Sequence, residues 1–352
     1  MEPNVSTPQN APMPAAQPAQ RSLLGFVSII KEVWNLFKMV WGRLILFVGL
    51  PGVVSVATGL IIGLPGVFLF RREGFLMWLE SNLAVFVIIV VALVVAFVIL
   101  NVFVLTRSII AAIDVMHYEG SPTPLTFGQA WKNAKGRVKG YFWTTVLLWL
   151  VLMGGLTFLI IPALVGLKFL PELLMMGSFA AGTIITVSFI VFLIPCFILL
   201  MMFAFGVFFN AIDREKGVRA LAVSAEHTKG FKGKIFLNYV IFGLIMIVCG
   251  LIVGMIEGFI PGKSDDGLIN FLWQTLSSSF GLVFAYTIWK RLKFIKAGVV
   301  IPPQARRKQV ISWATVGLVA VLAFLVASIV GAVYAPRVKY HSPESQDLYD
   351  MQ

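Results

Sequence analysis

Apolar runs of twenty residues and more alternate with short polar segments along most of this 352-residue chain. A helix rising about 1.5 Å per residue needs about 20 apolar residues to cross a hydrocarbon core about 30 Å thick. The pattern predicts an all-α, polytopic membrane bundle, because a helix satisfies its own backbone groups within the segment. Seven spans are expected, near residues 44–64, 82–106, 141–163, 175–200, 236–258, 268–289 and 310–334. The fourth lies in the 36-residue run 175–210, which reads as one long span kinked at Pro195 or as two short ones.

Ahead of three spans the period changes. Ile30, Val33, Trp34 and Phe37 precede the first span at i, i+3, i+4, i+7, and Phe127, Ala130, Trp131 and Ala134 precede the third at the same spacing. Val218, Leu221, Ala222 and Ala225 repeat it before the fifth. One apolar stripe on a short polar helix predicts a segment lying along a membrane interface. Thr126 followed by Gln129 has the form of a capping box, and Gly136 and Gly230 suit C-terminal stops. Ala112-Ile113-Asp114, leaving the second span, recurs as Ala211-Ile212-Asp213 leaving the fourth.

The expected organisation is therefore a threefold repeat of interfacial helix plus hairpin. Its units run over about 22–120, 121–217 and 218–309, followed by an additional transmembrane helix at 310–335. A Pro/Ala/Gln-rich disordered tail is expected over 1–21, without the pattern of a cleaved signal peptide, and a flexible tail over 336–352.

Composition agrees with the membrane reading: 59% of residues are hydrophobic and only 12% charged, against about a quarter charged in soluble domains. The net charge of +12 comes from cations in the loops. With the N-terminus cytoplasmic and the C-terminus external, 22 of the 28 lysines and arginines fall on the inner side, as the positive-inside rule requires. Splitting the fourth run would put six more outside, which favours one kinked span. Anionic membrane lipid is the expected partner of these cations, rather than nucleic acid. Lys38, Lys135, Lys229, Lys232, Lys290, Arg291, Lys293, Arg306 and Arg307 are the candidate head-group contacts.

Several motifs resemble a known family. Ile160-Ile161-Pro162, the AIDREKG exit and the following RALAVSAEHTKGFKGKIF are similar to the membrane domain associated with bacterial glycerophosphoryl diester phosphodiesterases and its multi-pass relatives. The resemblance covers about residues 110–260. It implies a helical module in the inner (plasma) membrane, and it implies no phosphodiesterase activity, because the soluble catalytic barrel of those enzymes has no counterpart here.

No catalytic, cofactor or metal site is expected. Cys196 and Cys249 stand alone in apolar runs, and His117, His227 and His341 have no ligand-type neighbours. His227 falls on the polar side of its stripe and is expected to be solvated. Ser277, Ser278 and Ser279 lack an activating base and read as helix-packing residues. Asn101 and Gln274 are the intramembrane polar candidates, for interhelical hydrogen bonds or a substrate contact. Ala323, Ala327 and Gly331 form a small-residue stripe that packs within the chain or against a second copy, giving a homo-oligomer. The function expected is non-enzymatic organisation of lipids or partner proteins at the cytoplasmic membrane face. The alternatives are transport or export of an apolar or amphipathic substrate, and lipid modification.

Overall fold

The structure is a computed structural model and describes residues 25–175, 183, 194, 196–258, 267–298, 301–302, 304 and 306–334. Among these residues the chain is all-helical and holds no strand. Its helices include α1 (Phe26–Phe70), α2 (Glu73–Ser81), α3 (Leu83–Tyr118), α4 (Phe127–Ala134), α5 (Val138–Met175), α6 (Gly206–Asp213), α7 (Gly217–Thr228), α8 (Lys232–Gly258), α9 (Gly267–Ile295) and α10 (Arg307–Tyr334), and residues 196–203 are helical as well. Among the described residues, six helical segments are long and apolar enough to cross a membrane: Phe26–Phe70, Leu83–Tyr118, Phe127–Thr157, Cys196–Asp213, Lys232–Ile256 and Arg307–Ser328. The sixth expected span became α9, 29 residues long, but polar Gln274, Thr275 and Ser277–Ser279 hold it below that apolarity. The fourth expected span lies largely outside the described residues, as do both expected tails.

The chain divides into two compact units. The first runs to Leu148 and resumes over Cys196–Val310; the second comprises Trp149–Pro195 and the segment from Ile311 onward. In the first unit, apolar residues occupy two environments. The opening half of α1 (Ile29, Val33, Phe37, Val40, Leu44, Phe47) packs with the end of α3 (Ile110–Met116), with α6, and with Val283–Leu292 of α9 into one buried core. Beyond it, Val53, Ile61 and Phe68 of α1 and Ile88 and Ile99 of α3 are more than half exposed. Water does not tolerate an apolar surface of this extent, whereas lipid is as apolar as the side chains and leaves no drive to bury them.

The expected interfacial helices come out differently. The first is no separate element, because nothing breaks the helix between Ile30 and the first span, and α1 runs on for 45 residues through Pro51 and Pro65. The other two are separate helices, α4 and α7, and their stripes turn toward protein. Ala130, Ala134, Leu221 and Ala225 are fully buried and Ala222 nearly so, while Phe127 stacks on Phe47 at 4.3 Å between ring centroids. Trp131 lies under the Arg107 guanidinium at 4.3 Å. Trp34, half exposed, stacks on Phe280 at 5.9 Å and lies 5.1 Å from the Lys38 ammonium. Ile30 and Val218 sit half-buried at the edge of the packed region. A stripe at helical spacing marks an apolar face but not the material that covers it.

In the second unit α5 and α10 cross backbone to backbone at Gly154 and Gly317, where a Cβ on Gly317 would lie 2.7 Å from the Leu150 carbonyl carbon and 2.8 Å from the Gly154 nitrogen. Ala323 and Ala327 are exposed, so the described close packing runs through Gly317 instead.

Candidate anion-binding cleft

The repeated Ala-Ile-Asp motifs end up side by side, joined by one arginine. Asp114 lies near the end of α3 and is 3% exposed, a position that a carboxylate occupies only when paired. Arg137 follows α4 in a single 3-10 turn of Lys135–Arg137 and meets Asp114 bidentately. Its Nη1 donates to Asp114 Oδ1 at 2.9 Å, and its Nη2 pairs with Oδ2. The same Nη1 donates to the carbonyl of Ala211 at 2.6 Å. A guanidinium is suited to this because its planar fork carries several donors in fixed directions. Arg137 thus ties the first motif, through its aspartate, to the backbone of the second. Asp213 of the second motif pairs with Lys293 at 2.5 Å.

α6 stops immediately after Asp213. Arg214 adopts a left-handed conformation (φ 60°), and its N–H closes onto the Phe209 carbonyl. The N–H of Glu215 donates to the same carbonyl at 3.2 Å. A left-handed residue satisfies the open carbonyls of a helix end and is usually glycine, since a Cβ costs about 1–2 kcal/mol there. The turn is held by Asn210, buried, whose Nδ2 donates to the Glu215 carbonyl at 2.6 Å. Gly217 (φ 51°) starts α7, and its N–H donates to Thr144 Oγ1 of α5 at 3.1 Å. Gly206 lets α6 approach α7 closely, for its Cβ would meet Leu221 Cδ2 at 2.6 Å.

These contacts leave a cleft of about 920 Å³ between the α4–α5 corner and the α6–α7 turn. Four cations line it, Arg137, Lys139, Arg214 and Lys216, and no carboxylate does. Only Arg137 is paired; Lys139, Arg214 and Lys216 have no ion-pair or hydrogen-bond partner for their side chains among the described residues and are exposed. Trp143, 55% exposed, and Leu147 form an apolar wall on the first turns of α5. The arrangement can hold an anion against three unneutralised charges while offering a tryptophan to an adjoining acyl region.

Of the nine residues expected from sequence to contact head groups, Lys38 lies 5.1 Å from the Trp34 ring, and the other eight divide into two sets. Arg291 pairs with Glu32 at 2.6 Å, Arg306 with Glu226, and Lys293 with Asp213. The Lys232 ammonium lies 3.0 Å from the Met202 sulfur. These four are partly or wholly occupied within the protein. Lys135, Lys229, Lys290 and Arg307 are exposed and unpaired among the described residues. Of the polar candidates, Asn101 accepts a hydrogen bond from Ser55 of α1 and donates to the Phe97 carbonyl at 2.9 Å. Gln274 instead is exposed and its side chain bonds to nothing among the described residues, so it makes no interhelical hydrogen bond there. The periodicity reading missed Arg214, Lys216, Lys139 and Trp143 as a site. Their one local signal is the pair of turn residues, Asn210 and Gly217, that brackets the charged turn.

His227 is a correction. It is 9% exposed, with Nδ1 donating to the Val223 carbonyl at 2.9 Å and the ring 4.6 Å from that of Phe209. The polar side of the α7 stripe is covered because α6 packs on it. Burial holds its pKa below the ordinary 6.5, the Val223 hydrogen bond raises it in part, Lys296 and Lys293 lower it, and Asp213 raises it. Below 6.5 the unfolded chain therefore binds a proton that the folded chain refuses, and stability falls as the pH drops. Thermal melts on the purified chain are expected to show this acid loss, and His227→Gln is expected to flatten the slope below pH 6.5. An unchanged slope in the variant contradicts a neutral buried imidazole.

Among the described residues no group of three or more His, Cys, Asp or Glu is placed to hold a metal ion. No protein family, curated protein or solved structure matches this chain.

Proposed function

We propose that this is a non-enzymatic multi-pass membrane protein that holds anionic lipid at the cytoplasmic face, with the cleft between α4–α5 and α6–α7 as the head-group site. The observation that carries the reading is the lining of that cleft: unpaired Lys139, Arg214 and Lys216, no acidic residue, and the exposed Trp143 beside them. In this reading the packed end of the first unit faces the cytoplasm, the N-terminus is inside and the C-terminus outside. The 22 cations on the inner side support that orientation. Seven spans and three repeat units belong to the same proposal. The paired aspartates at both Ala-Ile-Asp exits support kinship of the first two units. Membership among membrane modules of the glycerophosphoryl diester phosphodiesterase type is part of the same proposal, supported by the motifs over about residues 110–260.

A cation near an anionic leaflet contributes about 1 kcal/mol, so three give an upper limit of roughly a hundredfold, reduced by salt and shared lipids. Native mass spectrometry of the chain from nanodiscs containing phosphatidylglycerol and phosphatidylcholine is the test. Preferential retention of phosphatidylglycerol is expected, falling at least about tenfold in Lys139→Gln/Arg214→Gly/Lys216→Gln. Arg214→Gly separates binding from folding, because glycine relieves the left-handed backbone while removing the charge. Weaker lipid retention at an equal or higher melting temperature supports the site; retained preference in the triple variant removes it. Transport has no comparable support, since neither described cleft is lined by Asn101 or Gln274.

A further inference from the structure

A second cleft, of about 560 Å³, opens between the start of α1 and the ends of α3 and α9. It shares no residue with the first cleft, and its size is that of a small-molecule site. Its polar groups are largely paired off. Arg291 Nε and Nη2 are taken by Glu32, with Nη2 also reaching the Ser28 carbonyl at 3.1 Å and Oγ at 3.2 Å. Glu119 is neutralised by Arg43 at 2.6 Å and Lys293 by Asp213.

Besides Asn35, which is exposed, and His117, whose Nδ1 lies 3.4 Å from Tyr286 Oη, what remains is a set of donors. Arg291 Nη1 and the indole Nε1 of Trp289 are both buried and have no hydrogen-bond partner. Trp289 as a whole is 2% exposed. Buried donors are nearly always satisfied, and the two residues that carry these unsatisfied ones both line the cleft. Lys31 and Lys290, exposed on the same cleft, have no partner among the described residues. All four residues offer only donors, and two carry positive charge that nothing neutralises. Tyr286 and Met39 supply an apolar side to the same space.

A carboxylate carries a single negative charge, whereas a phosphate monoester carries about 1.5–2 near pH 7 on three oxygens and so matches the two unneutralised lysines. We propose that this cleft binds a phosphate monoester, with Arg291 and Trp289 at its base and Lys31 and Lys290 at its mouth. Glu32 acts as a positioning residue that holds the Arg291 fork and leaves Nη1 free. The monoester has two possible sources, a soluble metabolite or the head group of a phosphatidic acid-type lipid.

The test uses the full chain in phosphatidylcholine nanodiscs. In one arm phenyl phosphate is titrated by calorimetry, with acetate as the carboxylate control; in the other, retention of phosphatidic acid is measured by native mass spectrometry. Binding of either monoester is expected, weakened about tenfold or more in Lys31→Gln/Lys290→Gln, a surface pair that leaves the core intact. Trp289→Phe, which keeps an aromatic ring and removes the N–H, is expected to weaken it as well. Phenyl phosphate binding assigns a soluble ligand, and phosphatidic acid retention alone assigns a lipid. Binding of neither, acetate as tight as phenyl phosphate, or binding indifferent to the lysine pair overturns the proposal. Lys139, Arg214 and Lys216 lie in the other cleft, so the triple variant there is expected to leave monoester binding unchanged. Each proposal can therefore fail without the other.

Discussion

Asp114→Ala is expected to destabilise the chain by about 3–5 kcal/mol, a large part of the roughly 5–15 kcal/mol that holds a folded protein together. The cost comes less from the lost attraction than from what is left behind. With Asp114 gone, the largely buried Arg137 keeps only neutral carbonyl partners, Ala211 at 2.6 Å and Asn133 at 3.4 Å, against a full charge. Replacing both members by apolar residues of similar volume, Asp114→Leu/Arg137→Met, removes the stranded charge and is expected to recover most of the loss. Thermal unfolding in one detergent, followed by circular dichroism, separates these cases. If Asp114→Ala melts with the parent, the bidentate pair is not a structural tie between the two Ala-Ile-Asp exits. Arg137 also lines the first cleft, but Asp114 neutralises it, so the double variant removes no net charge and is expected to keep the phosphatidylglycerol preference once its melting point returns.

Gly317→Val is expected to cost about 3 kcal/mol or more, at the upper end of what overpacking produces. A Cβ at this position meets the Leu150 carbonyl oxygen inside any permissible contact, and the carbonyl carbon at 2.7 Å and the Gly154 nitrogen at 2.8 Å are also too near. These are backbone atoms, and no rotamer change moves them aside. α5 and α10 have to separate along their crossing, losing the dispersion contacts that hold helices together where both solvent and side chain are apolar. Gly154 faces the same crossing from α5, with its Cβ position against the Trp313 carbonyl, so Gly154→Val is expected to act alike. Gly243 on α8 has nothing within 4 Å of its Cβ position, and Gly243→Val provides the control, expected within about 0.5 kcal/mol of the parent. Equal melting of the Gly317 and Gly243 variants removes the crossing.

The helices and several of their ends were legible because their causes are local. The Thr126–Gln129 capping box forms, with Gln129 Oε1 accepting from the Thr126 N–H at 3.0 Å. Gly230 takes φ 87° between α7 and α8, as a stop glycine does. The basic turn was legible only as charge. Arg214, Lys216 and Lys139 form a cleft because Asn210 and Gly217 fold the turn back on α5, and contacts such as that of Gly217 with Thr144 span 73 residues. Arg291 illustrates the opposite error. It is one of a dense run of cations, yet Glu32, 259 residues away, engages its Nε and Nη2 and leaves only Nη1 without a partner.

The sequence by itself determined the helical class, the segments apolar enough for a membrane, the capping of α4 and the two Ala-Ile-Asp exits, since each depends on residues a few positions apart. Only the tertiary structure decided what those faces meet. Protein interior and lipid are both apolar, so the stripes of α4 and α7 were equally consistent with either, and the burial of Ala130, Ala134, Leu221 and Ala225 assigned them to protein. The same packing removed His227 from water and left Lys139, Arg214 and Lys216 unneutralised, because ion pairing and burial are set by contacts between helices distant in the chain.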